Sequence, residues 1–394
     1  MGDHPHSGTT AKQIQAFADV VRGELPLYAH LSDSIVGDSE LLELAGLRLP
    51  GQPPANVLLA AVQYLLLSGV EHPLSAWYPE ISGSDPPAND AFSAFRDFCL
   101  TNREALAPLI RTRRTQTNEV ARCLALVPAI ATVLERYRQP LSLIEIGASA
   151  GLLLLFDQYH YTYGERSWGP AGSPLRLTTE LRGGDPALPG DHLEISGRLG
   201  IDLHPLDVAD THDTLWLESL LWPGQSERRR RLRAAIEIAV ANPPEVRRGE
   251  ALAEVRGVVA KVAADSLPVV FHSFSLIQWT SEQRAELSRE LRELGRPVAR
   301  IWLEWFGYER NRPAIKLYHY RDGVETVETL GQFHHHGQWL DWGWSESPTN
   351  SRWLVPAGEP APLGRRAPPW GRRRGVPRAT ATWWCQCGAC FGPG

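Results

Sequence analysis

The stretch Leu143-Ile144-Glu145-Ile146-Gly147-Ala148-Ser149-Ala150-Gly151 runs from an apolar strand into a group of small residues, and the apolar run Leu152–Phe156 follows. A strand, a tight turn and a helix to about Tyr161 fit that pattern. Glycines in such a turn let backbone come close to a ligand, and the following helix points its positive N-terminus at it. Gly147 and Gly151 fill that role, with Glu145 and Ser149 as polar groups beside them. The spacing G-x-S-x-G also suits a nucleophile elbow presenting Ser149, or a plain structural turn, so three readings stand.

A cofactor site needs more than the turn. Asp202 ends the apolar part of Gly200-Ile201-Asp202-Leu203-His204-Pro205, where a carboxylate can take both hydroxyls of a ribose. Glu250, just past Val246–Arg248, places a further polar group near an adenine ring. His272-Ser273-Phe274-Ser275 ends a fourth strand, where substrate meets cofactor at the carboxyl edge of a sheet. Glu119, His272 and Glu304 are the candidate bases. The elbow reading fills the order Ser, Asp, His with Ser149, Asp207 and His336, the pattern of an α/β-hydrolase. That elbow normally follows several strands of its sheet, whereas the residues before Leu141 read as helices.

Asn118, Glu119 and Arg122 can form a polar pocket floor, although Thr117 or Asn118 also suits a helix cap. The run Arg228–Arg233 reads as the solvated face of a helix, with Arg228 singled out as a guanidinium able to fork onto a carboxylate or phosphate. His334, His335 and His336, taken as strand residues, alternate between faces and do not converge on an ion. Cys385, Cys387 and Cys390 offer three soft ligands where zinc sites want four. No metal site is expected.

The elements that must position these residues fall into three stretches. Residues 1–139 show helical periodicity broken by Pro-rich segments such as Pro50–Pro54, and predict an all-helical N-terminal domain. Residues 140–345 alternate strands and helices: Leu141–Ile146, Arg198–Leu203, a helix over Ser226–Val240, Val246–Arg248, Leu267–Phe274, a helix over Ser281–Leu294, and Val298–Phe306. That alternation predicts an α/β fold with a mostly parallel, Rossmann-like sheet. Ala314–Tyr320 and Val324–Phe333, joined by Arg321-Asp322-Gly323, predict an antiparallel hairpin closing it. Residues 346–394 are rich in Pro, Gly, Arg and Trp without periodicity and predict a disordered tail.

With 394 residues, a net charge of −5 and no apolar run of membrane length, the chain is expected to be cytoplasmic, bound to neither nucleic acid nor membrane. The expected partner is a small-molecule substrate.

The order of these elements resembles the class I S-adenosylmethionine-dependent methyltransferases. More narrowly, the chain is similar to a mainly actinobacterial family of unknown function that carries such a domain behind a helical region. The matching segments are Gln116-Thr117-Asn118-Glu119-Val120 with Arg122, IEIGASAGL, GIDLHPLDV, Leu221-Trp222-Pro223 with Arg228, and His336-Gly337-Gln338-Trp339-Leu340. Ser149 stands where many methyltransferases have Gly, and a long stretch separates Gly151 from Asp202. The resemblance implies S-adenosylmethionine as cofactor, held by Glu145, Gly147, Ser149, Gly151, Asp202 and Glu250. It implies a substrate site at Asn118, Arg122, Trp222, Arg228 and His336. A non-catalytic Rossmann-like protein and a serine hydrolase remain the alternatives.

The composition of the tail leaves no face with enough apolar area to offset the entropy of ordering it. A chain ending at Trp344 is therefore expected to keep the melting temperature of the full chain. Arg365, Arg366 and Arg372–Arg374 should be cut by trypsin within minutes. A melting point several degrees lower after truncation would show the tail to be packed.

Overall fold

The structure is a computed structural model that describes residues 5–190, 192–305 and 313–344. The expected tail and its cysteines lie outside the described residues. Helices come first: α1 (Pro5–Val21), α2 (Pro26–Val36), α3 (Ser39–Gly46), α4 (Pro54–Leu67), the single turn α5 (Pro79–Ser82), α6 (Phe92–Thr101), α7 (Arg103–Thr112) and α8 (Cys123–Tyr137). Proline opens α2, α4 and α5, where its missing N–H leaves no helical bond unmade. Asp38 caps α3 by accepting from the N–H groups of Glu40 and Leu41. Every residue of α4 from Pro54 to Leu66 is buried, so this all-round apolar helix is the axis of the helical layer. Phe17, Leu31, Phe95 and Leu106 join Leu58 of this helix in one core.

The strands are β1 (Leu141–Ile146), β2 (His160–Tyr163), β3 (Arg166–Trp168), β4 (Arg176–Gly183), β5 (Ile195–Asp202), β6 (Val246–Arg248), β7 (Leu267–Ser273), β8 (Val298–Glu304), β9 (Ala314–Arg321), β10 (Val324–Phe333) and β11 (Trp339–Trp342). Between them lie α9 (Thr211–Ser219), α10 (Ser226–Ala241), α11 (Ala251–Ala260) and α12 (Ser281–Arg292). All strands join one 11-stranded sheet in the order β3-β2-β4-β11-β10-β9-β8-β7-β1-β5-β6. The run β8-β7-β1-β5-β6 is parallel, as the β-α alternation requires. Leu141 and Leu143 of β1 face a core shared with α8 and α10, while Ile144 and Ile146 face the opposite core with α11 and α12.

The antiparallel pair β9–β10 turns through Asp322 (φ 53°) and Gly323 (φ 76°), both left-handed as a two-residue hairpin loop demands. It does not close the sheet. β10 pairs onward with β11, and β4, β2 and β3 extend the edge further. The long stretch between Gly151 and Asp202 is accounted for by β2–β4, which cross to the far edge before the chain returns as β5 beside β1. The helix expected after the glycine turn is instead a seven-residue 3₁₀ segment, Leu152–Gln158, kinked at Leu155. Leu152–Phe156 is buried throughout, so tertiary packing rather than helix periodicity shapes it.

Trp216 of α9 ties the two layers together. It is fully buried, its ring lies 6.1 Å from that of Tyr64 on α4, and its Nε1 donates to the Arg114 carbonyl at 2.8 Å. Trp216→Ala is expected to lower unfolding free energy by about 3–5 kcal/mol in urea titrations. A loss below about 1 kcal/mol would show that the layers are held elsewhere.

Candidate functional site

The strand order reverses at β1, whose neighbours β5 and β7 lead away in opposite directions, and a crevice opens there at the carboxyl ends of the strands. A cleft of about 330 Å³ occupies it. Gly147 and Ser149 follow β1, Asp202, Leu203 and His204 end or follow β5, Glu250 and Leu252 follow β6, and Ser273, Phe274 and Ser275 end or follow β7. The facing wall comes from the helical layer: Gln52 with Arg114, Thr115, Gln116, Thr117 and Arg122.

Asp202 organises these loops. Its Oδ2 accepts from the Ser149 N–H at 2.8 Å, and its Oδ1 from the His204 N–H at 2.7 Å and from Gln116 Nε2 at 3.2 Å. The N–H groups of Gly147 and Ala148 bond the Ile201 carbonyl, and that of Gly151 bonds the Ala148 carbonyl. Asn118 Nδ2 closes the turn from the other side, donating to the Ala148 carbonyl at 3.1 Å. Gly147 has φ 73°, and a Cβ there would stand 2.3 Å from Ser275 Oγ, so glycine alone lets the two turns approach across the crevice. Ser149 (φ 54°) and Phe274 (φ 55°) hold left-handed backbone without being glycine, a strain found at ligand-facing turns.

A family model described as "Uncharacterized protein conserved in bacteria (DUF2332)" matches residues 11–342. The chain belongs to the DUF2332 family. No curated protein and no solved structure matches it. The DUF2332 match takes in the helical layer, the wall at Arg114–Arg122 and the sheet through β11, so both sides of the cleft lie within the family's extent.

Gly147, Ser149, Asp202, Glu250 and Arg122 meet at the cleft. Other residues singled out from the sequence stand off it. Glu145 lies beneath, in the buried space between β1 and α8, where burial pushes its carboxyl well above the usual range and Asp202 pushes it further. Gly151 is a left-handed cap, and a Cβ there would strike Pro244 and Val246 rather than a ligand. Glu119 accepts from Arg228 Nε at 2.6 Å in a buried pair, and Arg228 also donates to Gln225, so the expected free fork is already engaged. Trp222 and Arg228 line a separate cavity of about 10 Å³, room for about one water. His272 and Glu304 form a fully buried pair at 2.8 Å, and Glu304 Oε1 also accepts from the N–H groups of Ser275 and Leu276. That pair fixes the turn after β7 from behind.

The three histidines at the end of β10 lie in a turn closed by Gly337 (φ 71°), not on a strand, and their rings touch at 4.1–5.7 Å between centroids. His336 lies half-buried in the neighbourhood of Arg228 and Arg122, whose charges hold its imidazole down after desolvation itself. Among the described residues no group of His, Cys, Asp or Glu is arranged to hold a metal, and no helix is long and apolar enough to cross a membrane. Gln52, Arg114, His204 and Trp279 join the cleft without having been singled out; the first two arrive by tertiary packing, and His204 sits inside the quoted GIDLHP segment.

Burial holds the His272 imidazole below its usual value, against the opposing pull of Glu304. The unfolded chain therefore binds more protons than the folded one below the ordinary histidine value of about 6.5, so stability falls as pH drops through it. His336 adds in the same sense. His272→Asn should flatten the loss of urea stability between about pH 7 and pH 5. An unchanged slope would mean that this imidazole is not what charges on unfolding.

Proposed function

We propose that this chain binds S-adenosylmethionine at the carboxyl edge of its sheet and directs methyl transfer to a small molecule. The observation that carries the reading is the cleft at the reversal of strand order, walled by the ends of β1, β5, β6 and β7 in the manner of a class I methyltransferase-like fold. The residues present fit such a ligand. Asp202 accepts three hydrogen bonds of the roughly four its carboxylate can take, which leaves capacity for a ribose hydroxyl. Leu203, 59% exposed, joins Ile146, Ile201, Leu252 and Trp279 as apolar sides for a planar ring, and Glu250 stands exposed at the start of α11. The N–H groups of Gly147, Ala148, Ser149 and Gly151 already bond to protein, which disfavours a pyrophosphate and suits a nucleoside without phosphate.

Bound S-adenosylmethionine would supply an electrophilic methyl group on sulfur. The chain's own work is then positioning and water exclusion between the sheet edge and the helical wall. Where the acceptor carries a proton, His204 is the cleft group suited to take it: burial, then Arg114 and Arg248, hold its imidazole below the usual value and so neutral.

The hydrolase reading draws on one observation, the left-handed Ser149 whose Oγ has no hydrogen bond. Asp207 caps the Ala209 N–H, and no hydrogen bond among the described residues joins Ser149 Oγ to Asp207 or His336. Calorimetry with S-adenosylmethionine and S-adenosylhomocysteine should give saturable binding that Glu250→Ala weakens without lowering the melting temperature. No heat at millimolar ligand would sink the cofactor reading. Fluorophosphonate labelling that vanishes in Ser149→Ala would establish the hydrolase.

A further inference from the structure

The inner end of the cleft, where β1 and β7 lie side by side, holds two hydroxyls that have no hydrogen-bond partner among the described residues. Ser149 is 6% exposed and Ser273 8% exposed, both line the cleft, and neither Oγ makes a hydrogen bond to a described residue. Ile146 pairs with His272, so Ser273, the last residue of β7, and the turn that carries Ser149 stand at the same end of adjacent strands. A buried hydroxyl without a partner is costly, and a pair at one end of a cleft calls for a ligand that supplies the acceptor. Arg122, 3% exposed, lines the same end. It donates Nη1 to the Ser273 carbonyl at 3.2 Å and lays its guanidinium 4.4 Å from the Phe274 ring centre, so its plane is fixed by packing.

Building on the cofactor reading above, we propose that this end is a carboxylate subsite that takes the α-carboxylate of the methionyl part of the ligand. Two hydroxyl donors beside a planar guanidinium match a planar carboxylate. A staggered turn about χ1 brings a serine hydroxyl from its enclosed position onto the ligand. Phosphate fits less well, because a dianion favours a nest of backbone N–H groups and those of the glycine turn are engaged with Ile201, Asp202 and Ala148. The subsite also accounts for the strained φ at Ser149 and Phe274, which hold the two turns where their groups converge.

The test is calorimetry on the full chain with S-adenosylhomocysteine and with its decarboxylated analogue, which keeps the nucleoside and the amine. The unaltered chain should bind S-adenosylhomocysteine at least roughly tenfold more tightly than the analogue, the usual worth of hydrogen bonds to a charged group. Ser273→Ala removes a hydroxyl with no partner among the described residues, so folding should be kept. It should weaken S-adenosylhomocysteine by roughly tenfold and leave the analogue unchanged; Arg122→Lys, which keeps the charge and loses the fork, should do the same. Equal affinity for the two compounds in the unaltered chain, or equal weakening of both by Ser273→Ala, would overturn the subsite and leave the cofactor reading intact. Failure of either compound to bind the unaltered chain would overturn the cofactor reading and the subsite with it.

Discussion

The Asp202 carboxylate is the junction that holds the cleft in shape. It joins three segments distant in sequence: the glycine turn through the Ser149 N–H, the end of its own strand through the His204 N–H, and the helical-layer wall through Gln116. Hydrogen bonds to a charged acceptor contribute roughly 1.5–3 kcal/mol each, and a non-glycine residue held left-handed costs about 1–3 kcal/mol. The bond to Ser149 is thus comparable in size to the strain of Ser149's own conformation. An uncharged side chain at 202 would leave that conformation with little to hold it, so one acid shapes the turn while keeping capacity to meet a ligand.

The same economy of donors narrows what the cleft can recognise. A glycine turn at the end of a first strand suggests an anion cradle, but such a cradle needs N–H groups pointing at the ligand. Here they point at Ile201, Asp202 and Ala148, and the 3₁₀ segment after the turn is short and capped by left-handed Gly151. Neither a nest nor a strong helix dipole is offered. What lines the cleft is instead a mixture of carboxylates, apolar edges and a buried guanidinium.

Much of the sheet from β6 to β10 is legible in the sequence because its strands are short runs bounded by turns. Val246–Arg248 and Val324–Phe333 have the limits that the sequence predicts, and β7 differs by one residue. The β2–β4 extension is not legible in the same way, although His160-Tyr161-Thr162-Tyr163 alternates half-buried and buried positions as a strand with one covered face should. The expected helix runs on to about Tyr161, into the start of β2, because the preceding apolar run has no strand period. Residues that end strands, such as Gly147 and Asp202, were placed by pattern alone, since every parallel strand delivers its last residue to one edge. Bases were not, because residue type is silent about which face a side chain occupies. His272 follows Val270 into the core beneath α11 and α12, and the alternation that buries the strand carries the imidazole away from the cleft.

The helical layer earns its place through the segment that leaves it. From Arg114 to Arg122 the chain contacts the sheet edge or the helices beside it at nearly every step: the Arg114 carbonyl receives Trp216 of α9, Gln116 reaches Asp202, Asn118 reaches Ala148, Glu119 meets Arg228 of α10, and Arg122 meets the Ser273 carbonyl. A buried ion pair such as Glu119–Arg228 is weak evidence for stability, because desolvation offsets most of its attraction. Its effect is on register, since a shift of this segment along the sheet edge would strand two charges. The wall can therefore take one position against the β1 and β7 turns, and the cleft is defined by the fit between layers, with neither layer alone supplying both sides.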